Sequence, residues 1–97
     1  MSRPVVYVKI VEQGMQFQHA PWTPWKTSPK DDREMVERIA LHRFIRNRGG
    51  IAPDERVKVE IFTYDDTTPL YPSGAPKTCH RSLYTLTQDA PALSRSN

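Results

Sequence analysis

Residues 28–50 read SPKDDREMVERIALHRFIRNRGG, and this stretch decides the fold because both of its ends and one of its faces follow helix chemistry. Ser28 supplies a hydroxyl for an orphan N–H of the first turn, Pro29 suits the first helical position, and Asp31 answers as a short capping-box partner. Asp31, Asp32, Glu34 and Glu37 put negative charge in the opening turns, where the helix dipole favours it. At Gly49 and Gly50 the chain reaches residues that adopt the left-handed conformation closing a helix. The spacing therefore predicts one helix over 28–48. At about 100° per residue, Val36, Ala40, Leu41, Phe44 and Ile45 share a face that is assigned to a sheet.

Strands are legible on either side. Residues 56–64, RVKVEIFTY, alternate, with Val57, Val59 and Ile61 inward and Lys58, Glu60, Phe62 and Tyr64 outward. Residues 5–11, VVYVKIV, set Val6, Val8 and Ile10 against Tyr7, Lys9 and Val11. Gln13 and Gly14 interrupt this run. Met15, Phe17 and His19 then alternate with polar or small neighbours, which predicts a hairpin turning near Gly14 and a short second strand. The prolines of PWTPW, residues 21–25, read as excluding regular structure and leave a rigid aromatic loop, with Trp22 and Trp25 folding back as a lid. A long loop over 65–77 precedes a last strand at about 79–87. Residues 88–97 are expected to form a flexible C-terminal tail beyond a single domain of residues 1–87. The expected class is α+β: a small β-β-α-β-β domain with one helix packed on a mainly antiparallel four-stranded sheet.

Composition agrees with a modest core and long loops. The chain has 97 residues, 37% hydrophobic and 26% charged, with nine prolines. No stretch approaches the roughly 20 apolar residues that span a bilayer, and the start, MSRPVV, is too soon charged for a signal peptide. A cytoplasmic protein without membrane contact is the expectation. A lone cysteine, Cys79, offers neither an internal disulfide nor a zinc site. The net charge of +3 is too small to demand nucleic acid, so its distribution must decide the partner.

Catalytic readings fare poorly beside simpler ones. Cys79 and His80 invite a thiolate and its base, but adjacent strand residues point to opposite faces. His19, His42 and His80 match no metal-ligand spacing, and the acidic cluster at the helix start is explained by the dipole. No glycine-rich phosphate loop occurs. No enzyme, cofactor or metal is expected.

Binding is the remaining class. Arg38, His42 and Arg46 recur every four residues as a ridge flanked by Arg43, with Met35 and Ile39 beside it instead of in the buried stripe. The dipole rewards cations only in the last turn, so it accounts for Arg46 and Arg48 but not for Arg38 or Arg43. Such a ridge suits an acidic protein surface or phosphates. Phe62 and Tyr64, facing away from the helix beside Lys9, Lys58 and Arg81, resemble a platform on which single-stranded RNA stacks. The leading expectation is a non-enzymatic interaction module that docks on a larger protein partner through the ridge and the aromatic loops. Its alternative is a single-stranded nucleic-acid binder using the sheet face. Size, lack of catalytic groups and lone-helix architecture are similar to short accessory proteins of phages and other bacterial mobile elements, including inhibitors of host defence complexes. Edge strands also permit a homodimer by sheet pairing.

Overall fold

The computed structural model describes residues 5–26, 33–88 and 94–95. Antiparallel strands β1 (Val5–Glu12), β2 (Thr23–Lys26), β3 (Val57–Asp65) and β4 (His80–Leu86), with a two-residue β5 (Ser94–Arg95), form one sheet in the order β2-β1-β3-β4-β5. Among the described residues a single α-helix, α1 (Arg33–Asn47), covers one face. This is the expected α+β arrangement, with the two most strongly alternating segments, β1 and β3, paired at its centre from Val6↔Asp65 to Glu12↔Val59.

Alternation sorts the sheet residues between its faces. Val8, Val57, Val59, Ile61, Tyr84 and Leu86 meet Val36, Ala40 and Leu41 of α1 in one buried cluster. Phe44 and Ile45, predicted for the same stripe, pack at its margin with Trp25 and Ile51. The helix closes as expected: the Gly49 N–H donates to the Arg46 carbonyl at 3.1 Å and the Gly50 N–H to the Ile45 carbonyl at 2.9 Å. These are the two bonds of a Schellman motif, and they require the left-handed φ of +87° found at Gly49. The cap predicted at Ser28, Pro29 and Asp31 lies outside the described residues.

The second strand is not where the alternation of Met15, Phe17 and His19 put it. The Met15 N–H closes a turn onto the Glu12 carbonyl at 2.9 Å, and Phe17–His19 forms a short 3-10 turn. β2 is built instead from the tryptophan–proline stretch, pairing Val6↔Trp25 and Tyr7↔Pro24. Proline is compatible with this position because β2 is an edge strand, where one missing N–H does not break an interior ladder. The expectation that residues 21–25 exclude regular structure is thus corrected for Thr23, Pro24 and Trp25. At the other edge, Ser94 and Arg95, within the stretch read as a tail, lie antiparallel to Thr85 and Tyr84.

The β3–β4 connection is ordered from within. The Asp65 carboxylate accepts the Thr67 N–H at 2.9 Å, and farther along the Tyr71 N–H donates to Ala75 at 2.8 Å and the Lys77 N–H to Pro69 at 2.9 Å. Hydrogen bonds from the Thr67 hydroxyl and the Thr67 N–H, and then from Thr68, hold the Asp65 carboxyl below its ordinary pKa against the opposing effect of burial.

Candidate functional site

The outward face of α1 carries the predicted ridge. Arg38, His42 and Arg46 are exposed, Met35 is 43% exposed, and Ile39 is half-buried beside them. Arg38 reaches Glu34, one turn earlier, only at 4.0 Å, with both side chains largely in solvent, so the contact barely restrains it. Arg43 leaves this ridge: its guanidinium lies 4.3 Å from the centre of the Trp25 ring, clasping the helix to β2. Arg48 is also engaged, forming a two-pronged pair with Glu55 at 3.0 and 2.8 Å and donating to the Gly50 carbonyl at 2.9 Å. The Arg48 hydrogen bonds, with one from the Ala52 N–H, hold the Glu55 carboxyl down at about 2.

Glu37 corrects the dipole reading of the acidic helix start. It is 2% exposed and points into the sheet, where its carboxylate accepts Ser82 Oγ at 2.8 Å and the Tyr84 hydroxyl at 2.5 Å. Ser82 Oγ also contacts His80 Nε2 at 3.2 Å. Four residues before Leu41 and adjacent to Val36, Glu37 falls within the buried arc of the helix, and that spacing was the available signal. Its burial changes the surface: the exposed charges of α1 are Arg33, Arg38, Arg43 and Arg46 against Glu34 alone.

The opposite sheet face holds Phe62 and Tyr64, as predicted, but it is not an open platform. Tyr7 and Tyr64 stack with ring centres 4.7 Å apart, and the loop after β1 folds over them. Trp22 meets Tyr64 edge-on at 4.7 Å, and Phe17 meets Phe62 edge-on at 4.9 Å. Lys9 is enclosed among these rings at 4% exposure, donating to the Phe17 carbonyl at 3.2 Å with its ammonium 3.7 Å from the Phe17 ring centre. Burial lowers its pKa from the usual lysine value, an effect that nearby Cys79 partly offsets. Burial, and secondarily the Tyr7 neighbour, raises the Tyr64 phenol. The two tryptophans therefore fold back onto different faces, Trp22 over the aromatic cluster and Trp25 against the helix-side core. Sequence reasoning placed Lys9 on this face but missed Phe17 and the enclosure of Lys9 by it, contacts that depend on a loop path that alternation misassigned.

Among the described residues the chemistry-bearing side chains that meet are Glu37, Ser82, Tyr84 and His80. Cys79 is exposed, whereas the hydroxyl of Ser82 is buried between Glu37 and His80 in a network that ties α1 to β4. Among the described residues no three His, Cys, Asp or Glu side chains gather closely enough to hold a metal ion, and no helix is long and apolar enough to cross a membrane. Comparison with protein families, characterised proteins and solved structures finds no match.

Proposed function

We propose that this protein is a non-enzymatic docking module whose α1 outer face engages an acidic surface on a larger protein partner. The supporting observation is the sinking of Glu37 into the core. With Arg43 turned aside onto Trp25, it leaves Arg33, Arg38 and Arg46 exposed on α1 against Glu34 alone, interleaved with apolar Met35. Arginine and methionine are both enriched at protein interfaces, and a helix holds such groups at fixed spacing on a backbone that is already ordered before binding. Arg38, His42 and Arg46 form the contact ridge, with Met35 and Ile39 as its apolar flank. An accessory or inhibitor role in a phage or mobile element would use such a surface to occupy a host complex.

The sheet face supports the nucleic-acid alternative less well, because its rings stack on one another and on the chain's own loop instead of presenting free faces to bases. Capture from native host lysate, with and without nuclease, tests the proposal. The expected result is a nuclease-resistant protein partner that is lost with Arg38→Glu plus Arg46→Glu while the melting temperature stays within a few degrees. Capture that survives the double reversal, or that vanishes on nuclease treatment, refutes it.

A further inference from the structure

The Arg43–Trp25 clasp stands at the rim of a groove of about 390 Å3 between β2 and the C-terminal half of α1. Its lining includes Val8, Ile10, Trp25 and Phe44, and its polar groups are Thr23, Arg43 and Asn47. Ile10, Trp25 and Phe44 are only partly buried by the core, so each keeps apolar surface turned to this hollow. The volume lies near the lower end of the range for small-molecule pockets, and a mostly apolar lining with a few polar groups is their usual makeup.

We propose that this groove binds a small apolar carboxylate, such as a medium-chain fatty acid. The apolar walls call for a hydrocarbon body, and among the described residues the lining offers one fixed charge, which is positive. The Arg43 guanidinium lies over the Trp25 ring, a contact that involves no carboxylate and leaves its N–H donors for a planar anion. No carboxylate among the described residues lies within ion-pairing distance of Arg43. The Asn47 amide adds a second donor on the same rim. A charge-assisted pair of this kind is stronger than a neutral hydrogen bond, so the acid binds better than the matching alcohol. This site stands independently of the protein partner proposed for the outer helix face.

The test titrates octanoate and 1-octanol into the full chain and follows the Trp25 indole signal by NMR. Octanoate is expected to shift that signal saturably and to bind at least about tenfold more tightly than octanol, the ratio set by one charged hydrogen bond. Arg43→Gln removes this preference, so that acid and alcohol bind alike, and Arg43→Lys restores part of it. Because Arg43 also braces Trp25, Arg43→Gln could weaken both probes by loosening the groove. In that event Asn47→Leu decides, since it removes a rim donor without touching the clasp: selective loss of octanoate supports the site, and no change overturns it. Absence of a saturable octanoate shift, or equal affinity for acid and alcohol, overturns it directly.

Discussion

Replacing Glu37 by alanine is the most direct test of how helix and sheet are joined. The substitution removes the acceptor of two interior hydroxyls, Ser82 at 2.8 Å and Tyr84 at 2.5 Å. A buried donor that loses its acceptor costs about 1–3 kcal/mol. Ser82 keeps His80 Nε2 at 3.2 Å and so falls at the low end. Loss of one buried methylene adds about 0.8 kcal/mol, whereas relief from burying a carboxylate without a cation returns part of the total. The net expectation is destabilisation by about 2–3 kcal/mol, a fall in Tm of roughly 8–24 °C for a domain of this size. Urea unfolding should show a lower midpoint at unchanged slope. Glu37→Gln supplies the control. Its carbonyl can accept from Tyr84 while its amide donates to Ser82, whose proton then turns to His80, so the loss should stay under about 1 kcal/mol. An alanine variant within about 0.5 kcal/mol of wild type, or a glutamine variant equally damaged, would falsify this account of the helix–sheet join.

Other consequences are open to measurement. Gly49→Ala forces a Cβ into left-handed backbone at φ +87° and should cost about 1–2 kcal/mol by chemical denaturation; an unchanged midpoint contradicts the Schellman assignment. Glu55 has its folded pKa depressed to about 2 from 4.5, so the Arg48–Glu55 contribution is fully present above pH 4.5 and lost as pH falls toward 2. The Tm gap between wild type and Glu55→Gln should accordingly close across that window, and a gap that persists at its acid end refutes the pairing. Tyr64 has the opposite sign, because its raised pKa means that the native state holds a proton the unfolded chain releases. Stability should decline above pH 10, less steeply in Tyr64→Phe, and that substitution should remove a late-titrating phenolate from the absorbance curve. Arg43→Gln, by unclasping Trp25, should shift tryptophan emission to the red, whereas Arg46→Gln should not.

The parts legible in the sequence are those fixed by local periodicity. Val57, Val59 and Ile61 face the core because every second residue must, and Gly49 ends α1 because its backbone conformation is one few other residues accept. The ridge of Arg38, His42 and Arg46 follows from spacing alone. Residues whose roles depend on distant partners were read less well. Glu37 looks like dipole chemistry until Ser82 and Tyr84 arrive from β4, and Arg43 looks like a ridge cation until β2 brings Trp25 beneath it. Met15, Phe17 and His19 have a strand's period, but the Phe17 carbonyl is taken by Lys9 and Ala20, and its ring seats on Phe62 across the face. Pro24 misled for the converse reason: an edge strand needs ladder partners on one side only.

That same proline limits how copies of this chain can assemble. A strand arriving beside β2 meets a four-residue segment with no donor at Pro24, too short and too poorly equipped to template another layer. At the other margin the two residues of β5 lie against Tyr84 and Thr85 of β4. Among the described residues the outermost strands are thus a proline-bearing segment of four residues and a segment of two, and neither matches the long ladders of β1 and β3 on which strand-by-strand aggregation builds.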